Sequence, residues 1–490
     1  METLEFILPA ISYSAVWPQI ILVATALFVL LIDVFKRKAK TASIAFISLA
    51  GSMIALACLV MTWPTSGGSS FGGMAFTDGF SFFITLTVLL ILIMTIMISI
   101  NYQKFFLGIN CGEYYALILF ATCGMTLMAA AGNLILVFVA LETMSVCIYA
   151  LAGFHKDQLR STESALKYFL LGAFASGFLL YGFALIYGAT GTLDIAKLGK
   201  FMTSHPQILN SKLLFAGLIM MTVGFGFKVS MVPFHMWTPD VYEGAPTVIT
   251  GFMATGVKAA AFAALIRVIL VPLISLKGDW TTIMWIAAFL TMTVGNIVAL
   301  AQANIKRMLA YSSIAHAGYI LIGFVAGTGL AQAGMLFYLL AYALMNIGAF
   351  GIVALLGKEE GEYDQISDFA GLGFKYPMMG VAMSVFMFSL AGIPPSAGFM
   401  GKFYIFTEGI KAGYVWLVIF GAINSIISIY YYLRVVVVMY FHPSEERVVM
   451  PKPSRTTVLA LAIACWGVLL MGIFPSYFWS FATHCVFTLM

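Results

Sequence analysis

Residues 212–235 read KLLFAGLIMMTVGFGFKVSMVPFH, an apolar run that carries a lysine, Lys228, far from either end and a proline, Pro233, near its close. An α-helix crosses the hydrocarbon of a bilayer with about twenty such residues, so the run predicts a membrane span. It does not alternate apolar and polar residues as the strands of an outer-membrane barrel do. Outward from it, apolar runs bounded by charges, Gly or Pro give about fourteen spans. They lie near 14–35, 42–63, 79–101, 114–131, 133–154, 163–189, 212–235, 245–272, 280–301, 308–327, 330–356, 376–407, 412–434 and 456–482. Composition agrees. Hydrophobic residues are 62% and charged residues 9% of the 490, against about 45–50% and about 25% in soluble domains. The fold class is all-α, a polytopic membrane protein. Soluble enzymes, nucleic-acid binders and secreted disulfide scaffolds are excluded as whole-chain readings.

The net charge of +5 says less than where the charges sit. Loops after odd-numbered spans hold most of the Lys and Arg, among them Lys36, Arg37, Lys38, Lys40, Lys104, Lys306, Arg307, Arg434 and Arg447. The other side holds Lys197, Lys200, Lys212, Lys277 and Lys411. The positive-inside rule then places both termini outside. The loop at 190–211 carries the first of these outer lysines and is where a miscounted span would lie. The first apolar block, followed by Lys36 to Lys40 without a small-residue cleavage site, reads as a retained helix. Cys58, Cys111, Cys123, Cys147, Cys465 and Cys485 lie almost entirely inside apolar blocks with no C-x-x-C pair, so they read as small buried hydrophobes.

Five basic residues remain inside the spans: Lys167, Lys228, Lys258, Arg267 and Lys402. A central lysine costs about 2.5–3.5 kcal/mol on insertion scales, so each needs a partner or a function. Lys167 follows Glu163 at a spacing that pairs them on one helix face. Arg267 lies near the outer end of its span and is expected to snorkel to the headgroups. Lys228, Lys258 and Lys402 have no charged neighbour at helical spacing, and Glu142 in VFVALETMSVCIY is a lone carboxylate in mid-span. His316 in YSSIAHAGY suits either a relay or an interhelical hydrogen bond. Asp33 and Glu113 stand at span ends and read as interfacial. Amines near a carboxylate suit proton transfer, because a small movement of the partner switches an amine between charged and neutral.

Pro233 and Pro394 each interrupt a span, freeing carbonyls that water or polar side chains must satisfy. Spans four to eight and nine to thirteen thus read as two five-helix repeats, each with a broken helix. An offset of an odd number of crossings makes the copies inverted, a transporter signature. The expected segments are an N-terminal three-helix unit at 1–112, the first repeat at 113–272, the second at 280–440 and a C-terminal helix at 441–490.

The stretch KVSMVPFHMWTPDVYEGAPTVITGFMATGVKAA, residues 228–260, resembles the antiporter-like membrane subunits of proton-pumping NADH–quinone oxidoreductase, respiratory complex I. These are similar in turn to subunits of multisubunit cation/proton antiporters. The resemblance covers essentially the whole chain. ESALKYFLLGAFASGFLLYG from Glu163, LAGIPPSAGFMGKFYIF from Leu390 and the Leu141–Glu142 pair look like the subunit N branch. The resemblance implies a proton-translocating, non-redox subunit of a translocase in a bacterial inner membrane, its termini periplasmic. Glu142 would tune Lys228, Lys258 and His316 would relay along a polar axis, and Lys402 would release the proton outward. NADH, FMN, iron–sulfur clusters and quinone would belong to partner subunits, with no cofactor or metal in this chain. The expected partners are the other membrane and peripheral subunits, the lipid bilayer and protons, with no nucleic acid. A cation/proton antiporter, a related ferredoxin-dependent complex and a purely structural assembly role are the other readings.

Overall fold

A computed structural model of the chain describes residues 13–35, 41–63, 68–102, 112–358, 361–362, 364–443 and 452–487. Lys36, Arg37, Lys38, Lys40, Lys104, Cys111 and Arg447 lie outside the described residues. Backbone groups in hydrocarbon must be satisfied within their own segment, and apolar runs therefore fold as helices. In order they are α1 (Trp17–Phe35), α2 (Thr41–Met61), α3 (Gly79–Tyr102), α4 (Gly112–Ala130), α5 (Leu134–Ala152) and α6 (Leu159–Thr190). There follow α7 (Ile195–Ser204), α8 (Lys212–Val229), α9 (Trp237–Gly244) and α10 (Thr247–Leu270). Next come α11 (Lys277–Leu300), α12 (Ile305–Ala326), α13 (Gly329–Val353), α14 (Pro377–Ala391) and α15 (Ala397–Lys411). The last are α16 (Val415–Phe441), α17 (Arg455–Ile473) and α18 (Pro475–Phe487). Thirteen helices among the described residues are long and apolar enough to cross a membrane, and the broken pair α14–α15 accounts for the remaining expected span. The protein is an all-α, multi-pass membrane protein.

The centre of the bundle is α10, buried along its whole span, with α12 and α13 nearly as enclosed. Around them α1, α2, α16 and α17 keep exposed apolar faces, as lipid-facing helices do. Hydroxyls inside the bundle are satisfied locally: Thr87, Thr95 and Thr122 each donate to the carbonyl four residues back. Glycine permits the closest approach. A Cβ at Gly295 would stand 2.7 Å from Ala315 N and one at Gly318 2.5 Å from Met292 N, so α11 and α12 pack backbone to backbone.

Both proline-marked breaks are present. Helix α8 ends at Val229, six residues short of the span read from hydropathy, because Ser230 turns the chain at φ 62°. Pro233 then sits in the irregular link to α9. Helix α14 ends at Ala391, Gly392 adopts φ 85°, and α15 starts after Pro394 and Pro395. The 190–211 loop holds no missed span. Its α7 is a short helix that buries Ile195, Leu198 and Met202 on one face.

Two backbone junctions recur at the same sequence interval. Asn133 caps α5 through its own side chain, and Leu134 N donates to Leu193 O while Ile195 N donates to Gly132 O. Asn304 caps α12 in the same way, with Ile305 N on Asp364 O and Ile366 N on Ala303 O. The bridged pairs are Asn133 with Asp194 and Asn304 with Gln365. An odd number of crossings separates the two junctions, so they lie on opposite faces.

Two charge expectations are corrected. Arg267 does not snorkel. It is 2% exposed and forms a bidentate pair with Asp78, 2.9 Å to each carboxylate oxygen, between the rings of Phe76 and Phe80. The segment Ile266–Leu270 is π-helical and the start of α3 faces it, which gives the guanidinium a partner closer than the headgroups. Burial alone would raise the Asp78 carboxyl, but the charge and hydrogen bonds of Arg267, with the Ser81 amide, hold it below the usual carboxylate range. Lys306, counted among loop charges, is also buried, and its Nζ donates to Ala245 O at 2.8 Å.

Candidate proton-transfer axis

Helix α5 places Glu142, Ser145 and Tyr149 along one face, at i, i+3 and i+7. Lys228, in the last turn of α8, reaches that face: its Nζ donates to Ser145 Oγ at 2.7 Å and to Tyr149 Oη at 3.2 Å. The rings of Tyr149, Tyr168 and Phe227 surround the amine at 5.4, 5.8 and 5.7 Å. Glu142 is only half-buried, not deep in the bundle as its mid-span position suggested, and accepts from Ser176 Oγ at 2.5 Å. Position along a helix fixes depth in the bilayer but not which face is turned outward. No ion pair among the described residues joins Glu142 to Lys228; on the α5 face the amine meets Ser145 and Tyr149 instead. The break beyond Lys228 is closed by Trp237 Nε1 donating to Phe227 O and by Val232 N donating to Thr291 Oγ1 of α11.

Lys258 follows a π-helical segment, Met253–Val257, which interrupts the regular bonding of α10 in mid-membrane. Its Nζ donates to Ser313 Oγ at 2.5 Å and Ser313 O at 2.6 Å. One turn along α12, His316 bonds through Nδ1 to Tyr338 Oη at 2.6 Å and through Nε2 to Tyr432 Oη at 3.0 Å. Tyr432 bonds in turn to Ser312. Lys402 fills the second break. Its Nζ donates to Ala391 O at 3.0 Å and Leu390 O at 3.3 Å, two carbonyls at the interrupted end of α14, and to Ser425 Oγ at 2.9 Å. It also lies 4.8 Å from the centre of the Tyr319 ring. That ring is 5.7 Å from His316, and its hydroxyl accepts from Asn296 Nδ2 at 2.9 Å.

The structure therefore brings Lys258, His316 and Lys402 into one central cluster and sets Lys228 with Glu142 beside it. Lys228, Lys258, His316 and Lys402 are 1, 2, 1 and 4% exposed. No side-chain hydrogen bond among the described residues joins Lys228 to Lys258. The lysines rest on hydroxyls and carbonyls, not on carboxylates, so a proton can leave or arrive without an ion pair being broken. Ser145, Tyr149, Ser313, Tyr338, Tyr432, Tyr319 and Ser425 were not singled out from the sequence, although Ser312, Ser313 and Tyr319 flank His316 in YSSIAHAGY. Cys58, Cys123, Cys147 and Cys465 are free thiols, and no group of three His, Cys, Asp or Glu among the described residues is placed to hold a metal.

At the end of the bundle beyond the first break, α9 is tied down by charge. Asp240 pairs with Lys167 at 3.0 Å and Arg307 at 2.8 Å, and Glu243 pairs with Arg307 at 2.8 Å. Lys167 also pairs with Glu163 at 2.6 Å, as its spacing predicted. Burial would raise the Asp240 carboxyl, but hydrogen bonds and charge from Arg307 and Lys167 hold it below its ordinary value. These residues, with Arg160, Ser164 and Gly244, line a cavity of about 240 Å³.

Residues 131–428 match the family described as NADH:quinone oxidoreductase/Mrp antiporter, TM. The chain belongs to this family. NADH-quinone oxidoreductase subunit N of Trichlorobacter lovleyi is 48% identical over 97% of this chain and 97% of its own length. A chain of respiratory complex I from Thermus thermophilus with bound aureothin superposes with a TM-score of 0.80 at 35% identity, covering 94% of this chain and 98% of that one. A chain of the Mrp complex from Dietzia sp. DQ12-45-1b has a TM-score of 0.84 at 19% identity, covering 98% of each, and shares the fold. Membership extends well beyond the matched core, because the Trichlorobacter relative aligns nearly end to end.

Proposed function

We propose that this chain is the proton-translocating subunit N of an NADH–quinone oxidoreductase, working with the other membrane and peripheral subunits of that complex. NADH, FMN, iron–sulfur clusters and quinone belong to those partners, and the chain itself carries protons and no electrons. It resides in a bacterial inner membrane with both termini periplasmic. The observation that carries the reading is the cluster of Lys258, His316 and Lys402 with the enclosed Lys228 beside it, solvated by hydroxyls and broken-helix carbonyls, within a family of complex I membrane subunits.

The chemistry follows from the contacts. Lys228 binds Ser145 on the α5 face that also carries Glu142, so a change in Glu142's charge or position alters how well the ammonium is held. A proton released there travels to Lys258, whose amine is held by Ser313. His316 exchanges protons with Tyr338 and Tyr432, each hydroxyl giving one proton as it takes another. Lys402 is the last amine, its charge stabilised by two carbonyls of the second break, and it discharges outward. Moving one proton against 100 mV requires about 2.3 kcal/mol, within what rearranging one buried charged contact supplies.

The test is Lys228→Met and Lys402→Met in the assembled complex, read as acidification of proteoliposomes during NADH oxidation. Loss of pumping with assembly intact is expected. Full pumping in the double variant would remove the axis. The fold shared with the Mrp complex leaves one further outcome: purification without flavin and iron–sulfur subunits, with cation-dependent proton exchange, would make the chain an antiporter subunit.

A further inference from the structure

Four buried polar atoms near Lys258 have no hydrogen-bond partner among the described residues: Tyr242 Oη, Tyr342 Oη, and both Nδ2 and Oδ1 of Asn346. All three residues are enclosed, Tyr242 and Asn346 completely. They come from two elements, Tyr242 from α9 and the other two from α13, where Tyr342 and Asn346 stand one turn apart. Both tyrosine hydroxyls face the Ser313 side chain, and Tyr342 also faces Asn346, in neither case closing a direct hydrogen bond. Ser313 is the residue on which Lys258 rests. The Tyr342 ring is 5.1 Å from His316.

Buried amides and hydroxyls are almost always satisfied, by protein or by ordered water. An isolated unsatisfied amide would have a bland explanation in imperfect packing. Here the two unsatisfied tyrosine hydroxyls face one serine and the amide faces one of those tyrosines, and a buried water needs two to four polar partners. Ser313, Tyr242, Tyr342 and Asn346 supply that number with both donors and acceptors.

We propose that Tyr242, Tyr342 and Asn346 form a water-binding site that delivers protons to Lys258 through Ser313 from the α9 side of the bundle. The proposal rests on the proton-transfer reading above and adds residues to it. A proton arriving on the bound water passes to Ser313 Oγ as the serine's own proton moves to the neutral Lys258 amine. The serine ends neutral, the amine ends as an ammonium, and the water is restored. Tyr242 lies on the same short helix as Trp237, its ring 6.1 Å from the indole, and Trp237 stacks on the Tyr168 ring that borders Lys228. The site therefore occupies the interval between Lys228 and Lys258, where no direct side-chain bond runs.

The intact complex, reconstituted in proteoliposomes, tests this with Asn346→Leu, which keeps the volume and removes both polar atoms. If the amide were only a packing flaw, leucine would be neutral or stabilising and pumping would be unchanged. The water site predicts a several-fold loss of initial proton-pumping rate, unchanged or higher thermal stability, and partial recovery in Asn346→Ser. Tyr342→Phe and Tyr242→Phe remove only a hydroxyl and carry the same test if the leucine variant does not assemble. Native pumping in these variants while Lys258→Met is crippled overturns the water site alone. Native pumping in Lys258→Met as well overturns the proton-transfer reading beneath it.

Discussion

Ser145 shows how much a single hydroxyl carries in this bundle. It donates to Leu141 O at 2.5 Å and takes the Lys228 ammonium at 2.7 Å. Ser145→Ala should remove a hydrogen bond to a charged group, about 1.5–3 kcal/mol, and leave Lys228 with Tyr149 as its acceptor. The expected result is slower pumping with unchanged assembly, and Ser145→Thr should retain most of the rate. Asp78 makes a different residue-scale case. Its pair with Arg267 lies away from the axis and acts in stability: Asp78→Asn leaves a buried guanidinium uncompensated, a loss of about 3–5 kcal/mol. Thermal unfolding of the purified complex should register it. Because the folded carboxyl titrates below its unfolded value, this contribution is complete above the unfolded pKa. It is lost as pH falls through the lower, folded value, so acid unfolding of the wild type should include a step that Asp78→Asn lacks.

At the scale of elements, the two breaks do most to place the amines. Pro233 and Pro394 announced them in the sequence, because a proline removes a backbone donor wherever it falls. What the breaks do with their freed groups was not legible there. Lys402 is twelve residues from Leu390 in sequence and touches its carbonyl only because Gly392 reverses the chain at φ 85°. A Cβ at Gly392 would meet Lys402 Nζ at 3.0 Å. Gly392→Ala should therefore combine left-handed backbone strain of about 1–2 kcal/mol with displacement of the amine. A lowered unfolding midpoint together with reduced pumping is the expected pair of readouts, and Gly392→Asn, which tolerates this backbone region better, should recover the first more than the second. Local spacing revealed Lys167 with Glu163. Arg267 was misread, because its partner lies 189 residues away and no helical spacing reports that. The hydroxyl partners of Lys258 and His316 were hidden for the same reason, joining helices 22 to 116 residues apart.

The whole molecule raises the question of sidedness, on which every statement about proton uptake and release depends. Positive-inside bias reads both termini as outside, and the paired junctions at Asn133 and Asn304, lying on opposite faces, support an inverted internal repeat with the same alternation. The discordant residues are Lys197 and Lys200. Their place on a short helix that buries Ile195, Leu198 and Met202 explains them: α7 lies in a loop, its lysines on an exposed flank, and adds no crossing. Short-loop lysines outside are tolerated when the opposing loops carry more. Single cysteines at Lys200 and Asp157, both exposed and separated by α6 alone, decide the point. A membrane-impermeant maleimide applied to intact spheroplasts should label Lys200→Cys directly and Asp157→Cys only after permeabilisation. The native Cys123, Cys147 and Cys485, buried within helices, should give little background. The opposite pattern would invert the chain, making Lys402 the loading amine and Lys228 the releasing one. Labelling of both positions in intact spheroplasts would mean that α6 does not cross and that the count of spans fails at its longest helix.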